Sequence, residues 1–444
     1  MLGQQRHSGA APAGATLWRN RDFLMLWGGE TVSLFGSQVT SLAIPLAGAL
    51  VLGATPAQMG FLSAAGFAPF LLLTLFAGVW IDRRRRRPTM IAANLGRGTL
   101  SRSVPLAAGL GLLRIEWLYA VAFLGGGLQV LFELAYQSYV PSLVGRERLV
   151  EANSKLQASA SAAQAAGPGL AGLLVEVLTA PVALLAHALS FLGSALAMAL
   201  IRVPEPAVTP AARRQGICRE IGEGLALIAR DPRLRGLAGE ATTFNFWHTG
   251  LMVLLVLYAT RELGIGAGLL GLILTLGGVG ALFGAMLAAP LARRLGLGPA
   301  LTWAYILACG APLLIPLASG GRSVTVPLLT CAFFIEAIGV SASQIYVISL
   351  RQGITPPELL ARMNAGYRFF ITGFIPVGSL LAGGLGERLG LRPALAICAL
   401  GVASALLWVA FSPLPQLRQI PEPGPIATTP AALAARGATP EVGR

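Results

Sequence analysis

Charged side chains are scarce in this sequence. They make up 12% of the 444 residues, about half of the roughly 25% found in an ordinary soluble domain, whereas hydrophobic residues make up 55%. This balance excludes a soluble globular protein and predicts a polytopic membrane protein. The net charge of +14 comes from arginines that cluster in particular loops. It therefore indicates membrane topology rather than a surface that binds nucleic acid.

Cysteines and the motifs of several enzyme classes are also scarce. The spacing of the four cysteines, at 218, 309, 331 and 398, is not that of metal ligands. The sequence has no Gly-x4-Gly-Lys loop for nucleotide phosphates, and the apolar segments contain no His-Glu-x-x-His and no serine nucleophile motif. We therefore expect no enzyme, no metal and no cofactor. Use of ATP would require another chain.

Long apolar segments make up most of the chain. Twelve are long enough to cross a bilayer, which takes roughly 20 residues of helix. Their approximate limits are 22–50, 57–81, 89–113, 117–141, 153–178, 181–201, 236–260, 267–291, 298–318, 324–350, 363–387 and 391–412. The predicted fold class is an all-α polytopic membrane protein with twelve transmembrane helices in two six-helix halves.

Arginines occur in alternate loops between these segments. One set of loops carries few cations, and the other carries Arg19, Arg21, Arg83 to Arg87, Arg146, Arg148, Arg293, Arg294 and Arg362. Since cationic loops stay in the cytoplasm, both termini are predicted to be cytoplasmic. The predicted division is a tail at 1–21, a half at 22–201, a linker at 202–235, a half at 236–412 and a disordered tail at 413–444. Residues 217–229 of the linker are expected to form a short amphipathic helix.

The loop after the second segment has a defined pattern, Gly-x-x-x-Asp-Arg-x-x-Arg-Arg. Its residues are Gly78, Asp82, Arg83, Arg86 and Arg87. A generic positive loop remains the alternative, although topology alone asks only for cations and does not explain Asp82. The pattern resembles the signature loop of the major facilitator superfamily of secondary transporters. In that family the loop docks on the eleventh segment, so we expect Asp82 to accept hydrogen bonds near residues 362–364.

Further stretches resemble the bacterial drug, macrolide and enterobactin-type exporter branch of that superfamily. They are residues 135–141, 148–153, 167–172 and 349–369. The resemblance implies two halves that rock about a midplane site, a small-molecule substrate, protons as the coupling ion and a monomer in the bacterial cytoplasmic membrane. It also implies that a small-residue motif seals the halves on the outer side, with ordinary tight packing as the alternative. That motif is Gly167, Pro168, Gly169 and Gly172.

Ionisable residues within apolar segments need a reason, because a charge at the centre of a helix costs roughly 2.5–3.5 kcal/mol. Segments one, four, seven and ten carry such groups, and in the resembled fold these four segments line the central cavity. The candidate site residues are Glu30, Gln129, Glu133, Asn245, His248 and Glu336. Structural pairing or packing is the alternative for each. Glu133 and Glu336 are expected at similar depth in one shared cavity.

Three other buried groups carry separate expectations. Arg97 is expected to extend to the cytoplasmic surface, Arg102 to need a buried partner, and His187 to pack on a peripheral helix. The leading functional hypothesis is a proton-coupled exporter of drug-like or secondary-metabolite molecules, including siderophore-like ones. An importer or facilitator on the same fold and a non-transporting membrane scaffold remain alternatives.

Overall fold

The computed structural model describes residues 17–82, 84–203, 205, 217–356 and 359–419. Within these ranges the chain is helical and contains no strand. The predicted N-terminal tail up to residue 16, most of the linker before residue 217 and the tail from residue 420 lie outside the described residues.

Six long helices make up the first half. The first begins at an N-cap, because the side chain of Asn20 accepts a hydrogen bond from the backbone N of Phe23 at 3.1 Å. Glycines with positive φ at 53, 111 and 145 form three of the turns between helices. The helices are α1 (Arg21–Leu46), α2 (Pro56–Asp82), α3 (Arg86–Gly109), α4 (Ile115–Val144), α5 (Leu149–Leu178) and α6 (Ala180–Ala199).

A short helix, α7 (Ile217–Arg230), precedes the second half and confirms the helix predicted at 217–229. The next helix begins at another N-cap, where Asp231 accepts a hydrogen bond from the N of Arg233. The remaining helices are α8 (Pro232–Leu257), α9 (Ala267–Leu295), α10 (Leu297–Gly310), α11 (Arg322–Ile354), α12 (Leu360–Gly373), α13 (Ile375–Leu389), α14 (Leu391–Ser404) and α15 (Leu406–Ala410).

Three crossings of the second half are interrupted, which the apolar pattern did not predict. Helix α10 continues as a 3-10 turn over Ala311–Leu317, which contains two prolines. Helices α12 and α13 form one crossing that is interrupted at Phe374, just before Pro376. Proline lacks an N–H, so it interrupts the helical hydrogen-bond ladder at such points. Helices α14 and α15 form the last crossing, interrupted at Ala405.

The two halves repeat the same structure at an offset of 211 positions. Arg21 and Pro232 each begin the first helix of a half. Both first helices end in a wide π-type turn, over Ala47–Val51 and Tyr258–Glu262. The glycines that follow these turns, Gly53 and Gly264, both have φ of 61°. This repeat supports the predicted pair of six-helix halves.

Ten helical segments of the described chain are long and apolar enough to cross a membrane. The other two crossings are α3 and α8, which carry charged residues; α3 packs against α4 and α6, and α8 packs against α13 and α14. Together they make the twelve crossings that the sequence predicted. We call the end of the bundle that holds Arg21, α7 and the Arg84–Arg87 loop the basic end, and the other the opposite end.

Helix α7 docks on the second half at the basic end. Its Glu223 forms an ion pair with Arg362 of α12, with 2.5 Å between Oε2 and Nη1. Its Gly224 lies against the α12 backbone at Arg362 and Gly366, where a Cβ would collide with backbone atoms. Glycine is therefore required for this close approach.

Candidate functional site

Two symmetric helix crossings join the halves near the opposite end. In one, α5 meets α9, and a Cβ on Gly172 would lie 2.8 Å from the Cα of Gly271. In the other, α2 meets α13, and a Cβ on Gly60 would lie 3.0 Å from the Cα of Gly383. The repeat relates Gly60 to Gly271 and Gly172 to Gly383. Glycine lets the helix backbones approach this closely, so we call these four residues the glycine seal.

Carboxylates reinforce the seal in the same symmetric way. Glu176 of α5 accepts a hydrogen bond from the N of Gly268 at 3.0 Å, at the start of α9. Its counterpart in the repeat, Glu387 of α13, accepts one from the N of Ala57 at 3.3 Å, at the start of α2. Each carboxylate therefore satisfies a free N–H at a helix N-terminus of the other half.

The predicted motif in α5 lies at this contact. A Cβ on Gly167 would collide with the side chain of Gln38 in α1, and one on Gly169 would lie 2.8 Å from Oγ1 of Thr275 in α9. Pro168 lines the cavity described next. The motif thus packs α5 against both halves beside the glycine seal.

A cavity of about 780 Å³ lies between the halves, directly below the glycine seal. Helices α1 to α4 of the first half and α8 and α9 of the second form most of its wall. Apolar residues, among them leucine, methionine and phenylalanine, form the majority of the lining, which is typical of sites for small organic molecules. The polar side chains of the wall are Ser37, Gln38, Thr40, Ser41, Ser63, Arg97, Ser101, Gln129, His187, His248 and Thr249.

The predictions for the two arginines of α3 were wrong. Arg97 is only 9% exposed and lines the cavity instead of extending to the surface. Its guanidinium lies 3.9 Å from the ring centroid of Phe191 and 3.5 Å from Oγ of Ser37. Arg102 faces outward on the same helix and is exposed at the surface of the bundle, so it is not buried among protein side chains. The two lie five positions apart, which puts them on different helix faces.

An ion pair crosses between the halves on the basic side of the cavity. Oε2 of Glu133 in α4 lies 2.9 Å from Nη2 of Arg368 in α12. Its Oε1 accepts a hydrogen bond at 2.7 Å from Gln129, which lines the cavity one turn away. Glu30 of α1 does not line the cavity, and its Oε2 is buried without a hydrogen-bond partner among the described residues. Glu30 and Glu133 lie within electrostatic reach of Arg97.

The second half places another acid beside a residue of the cavity wall. Glu336 of α11 lies 2.7 Å from Nε2 of His248, which lines the cavity and stacks on Phe244. The other carboxylate oxygen of Glu336 is buried and unpartnered in the described structure. Asn245 donates instead to the carbonyl of Ala241 in its own helix, at 2.7 Å, and does not line the cavity.

The expectation of similar depth for Glu133 and Glu336 does not fit these helices. Glu133 lies 11 residues before the end of α4 at Val144, and Glu336 lies 18 residues before the end of α11 at Ile354. At about 1.5 Å per residue, Glu336 is about 10 Å deeper from the basic end. The two acids also have different partners, so the structure places them in separate polar clusters.

Two buried polar groups, Glu240 and His187, have surroundings that the sequence analysis did not predict. Glu240 of α8 is 5% exposed and accepts a weak hydrogen bond from the thiol of Cys309 at 3.8 Å. The sequence does not single it out, because it lies close to the arginines of the linker, which account for a nearby carboxylate. His187 is buried as predicted, with Nδ1 beside Thr40 and the carbonyl of Gly36, yet it lines the cavity. No group of three potential metal ligands occurs in the described part of the chain.

The basic loop packs within the first half. The backbone N atoms of Arg86 and Arg87 donate to the carboxylate of Glu205, at 2.6 and 3.2 Å. The side chain of Arg87 donates to the last carbonyls of α6, at Met198 and Ala199, which favour a cation at a helix C-terminus. Arg83 and the surroundings of Gly78 and of the Asp82 side chain lie outside the described residues. The contact expected of Asp82 stays a prediction.

Comparisons with known proteins agree with this architecture. The multidrug efflux pump Tap of Mycolicibacterium fortuitum is 28% identical over 409 residues, which cover 87% of this chain and 93% of that protein. The macrolide efflux protein A of Streptococcus pyogenes is 24% identical over 229 residues, which cover 50% of this chain and 55% of that protein.

A solved structure has the same fold. A bacterial homologue of the iron transporter ferroportin, in its inward-facing state, aligns with a TM-score of 0.68 and 20% identity, over 88% of this chain and 98% of that one. The sequence profile of the Major Facilitator Superfamily matches residues 26–376, which are most of the chain. The profile and the repeated twelve-crossing fold confirm the resemblance found in the sequence, and this integral multi-pass membrane protein belongs to the Major Facilitator Superfamily of transporters.

Proposed function

We propose that the protein is a proton-coupled exporter of amphipathic small molecules, of the drug-like or secondary-metabolite kind. Transport, and not a chemical reaction, is its activity. The efflux proteins named above, which align over half or more of the chain, support export. The basic end is taken as cytoplasmic because of its arginines, so substrate enters the cavity from that end and leaves after the glycine seal opens.

The ion pair between Glu133 and Arg368 is the observation that carries proton coupling. It joins the two halves between the cavity and the basic end, at 2.9 Å. The Glu133 side chain is 31% exposed and that of Arg368 is 49% exposed, so water reaches the pair. A proton on Glu133 cancels the charge that attracts Arg368, and the halves then lose this contact. Proton binding and the relative motion of the halves are thereby linked.

Transport of a fluorescent dye into inside-out vesicles tests the proposal. We expect uptake when the vesicle lumen is acidic, and loss of uptake when an ionophore removes the gradient. Glu133→Gln imitates the protonated acid at nearly constant volume and should reduce uptake to the level without a gradient, as should Arg368→Gln. Glu116→Gln is the matched control, because Glu116 is an exposed acid at the far end of the same helix.

The same assay separates the alternatives. Equal movement of dye with and without the gradient would indicate a facilitator, and loss of dye from preloaded vesicles would indicate an importer. Glu336→Gln is expected to lower gradient-dependent uptake as well, because it removes the acid beside His248. If both Glu133→Gln and Glu336→Gln retain full gradient-dependent uptake, these acids are structural and the coupling site lies elsewhere.

A further inference from the structure

One arginine side chain lines the central cavity, and neighbouring protein groups neutralise little of its charge. Arg97 makes one hydrogen bond, to Oγ of Ser37 at 3.5 Å, and takes part in none of the ion pairs of the described residues. It is 9% exposed, so its charge is largely removed from bulk water. A guanidinium carries five N–H donors, and most of these lack a protein acceptor here. A buried charge of this kind favours a ligand that supplies the missing acceptors.

The neighbouring acids do not supply those acceptors. Glu133 is engaged by Arg368 and Gln129. Glu30 lies seven residues before Ser37 on α1, about 10 Å toward the basic end, and does not line the cavity. Both acids act on Arg97 through space. Neither acid accepts a hydrogen bond from the guanidinium in the described structure.

The rest of the wall favours an apolar body. No Asp or Glu occurs among the described residues that line the cavity. Phe67 and Phe70 of α2 and Met252 of α8 contribute apolar surface to it. The ring of Phe191 lies against the Arg97 guanidinium, with 3.9 Å between the ring centroid and Cζ. A planar cation held in one orientation is suited to bidentate recognition of a planar anion such as a carboxylate.

We propose that this cavity selects amphipathic anions, with Arg97 binding a carboxylate of the substrate and the apolar wall binding its hydrophobic body. The inference rests on the proposed function, because it names the chemical class of the molecule that is exported. A cation of the same shape meets Arg97 without a carboxylate on the wall to offset the repulsion. The cavity therefore distinguishes substrates by the sign of their charge.

Binding of two xanthene dyes to the full-length protein in detergent, without any gradient, tests this inference. Fluorescein carries a carboxylate and is anionic, whereas rhodamine 123 has a similar ring system and is cationic. We expect fluorescein to bind at least about tenfold more tightly, as measured by fluorescence anisotropy. Arg97→Gln should weaken fluorescein binding by about tenfold or more and leave rhodamine 123 binding unchanged or stronger. Arg102→Gln, on an exposed face of the same helix, is the matched control and should change neither.

Tighter binding of rhodamine 123 by the unmodified protein would overturn the proposal, as would full fluorescein binding by a folded Arg97→Gln variant. Thermal unfolding of each variant shows whether it is folded. If Arg97→Gln does not fold, Arg97→Lys keeps the charge and loses the planar fork, so weaker fluorescein binding by this variant supports the proposal and unchanged binding contradicts it. If the exporter proposal fails and this inference holds, fluorescein binds to the protein but shows no gradient-dependent movement in vesicles.

Discussion

Thr179 is the one described residue other than glycine with a positive φ. It joins α5 to α6 with φ of 82° and ψ of 154°, in a region that only glycine adopts without strain. Its counterpart in the repeat, Gly390, has φ of 87° and joins α13 to α14. The Thr179 side chain makes no capping hydrogen bond to either helix. The two halves thus use the same turn, and one of them uses it with a strained residue.

Replacing Thr179 by glycine is therefore expected to stabilise the protein. Relief of the strain contributes about 1–3 kcal/mol, and the greater freedom of glycine in the unfolded chain offsets up to about 1 kcal/mol of it. Thermal unfolding in detergent measures the difference. Thr179→Ala keeps a Cβ and should give no such gain. Gly390→Thr is expected to destabilise by a similar amount, and equal melting temperatures for all three variants would argue against strain at this turn.

Asp231 gives a pH-dependent contribution to stability outside the membrane segments. Burial alone would raise the pKa of its carboxyl, yet hydrogen bonds and charge from Arg233, at 2.7 to 3.3 Å, hold that pKa below its usual value of 3.8. Because the pKa is lower in the folded protein, the stabilisation is fully present above 3.8 and is lost as the pH falls through the lower folded value.

A comparison of Asp231→Asn with the unmodified protein isolates this charge, because asparagine keeps the N-cap of α8. We expect the unmodified protein to be the more stable near neutral pH and the difference to shrink as the solution is acidified to about pH 3. Unfolding by denaturant at several pH values measures it. A difference that does not change with pH would show that the contribution of Asp231 is not electrostatic.

Helix α7 belongs to the second half because of a close backbone contact. Gly224 lies against α12, and Gly222, two residues earlier, has no atom within 4 Å of a Cβ placed on it. Gly224→Leu is therefore expected to detach α7 from α12, whereas Gly222→Leu should leave it in place. Faster hydrogen exchange of residues 217–230 in Gly224→Leu alone would support this assignment. Equal exchange in the two variants would contradict it.

Elements were predicted well where the signal lies within one segment. The twelve crossings and α7 follow from local hydropathy and helical periodicity, because the pattern of apolar and polar side chains along a helix matches its lipid or water surroundings. Pro376 is a local signal for the interruption at Phe374, but the length of the apolar segment alone predicts one continuous helix there. No local signal in the sequence predicts the environment of Arg97, because its neighbours Ser37 and Phe191 lie on helices far away in the sequence. Glu133 and Glu336 were placed in the correct crossings but at the wrong relative depth, because the apolar pattern does not show where α4 and α11 end.

The glycine seal concerns the whole molecule, because its two crossings bring backbone of one half into contact with backbone of the other. Gly383→Val should prevent close contact of α13 with α2 and favour separation of the halves at the opposite end. Gly384→Val is the matched control, since a Cβ there has nothing within 4 Å. Gly172→Val should act like Gly383→Val, because the repeat relates the two positions.

Spin labels at positions 112 and 323 measure this separation, since both positions are exposed at the opposite end and belong to different halves. The native cysteines are first replaced so that only these two positions react. We expect a longer distance, or a larger share of long distances, in Gly383→Val and Gly172→Val than in Gly384→Val. Unchanged distances in all three variants would show that the seal tolerates a Cβ and does not control opening.

One contact at the opposite end departs from the repeat. Arg261, in the wide turn after α8, donates to the carbonyls of Ala54 at 2.8 Å and Ala49 at 3.3 Å in the matching turn of the first half. The position related to Arg261 is Leu50, which is 53% exposed and has no donor in its side chain to return the contact. Between these two turns the guanidinium contact is therefore made in one direction only, from the second half to the first. Separation of the halves at this end therefore requires breaking the hydrogen bonds of one arginine, which have no counterpart at the related position.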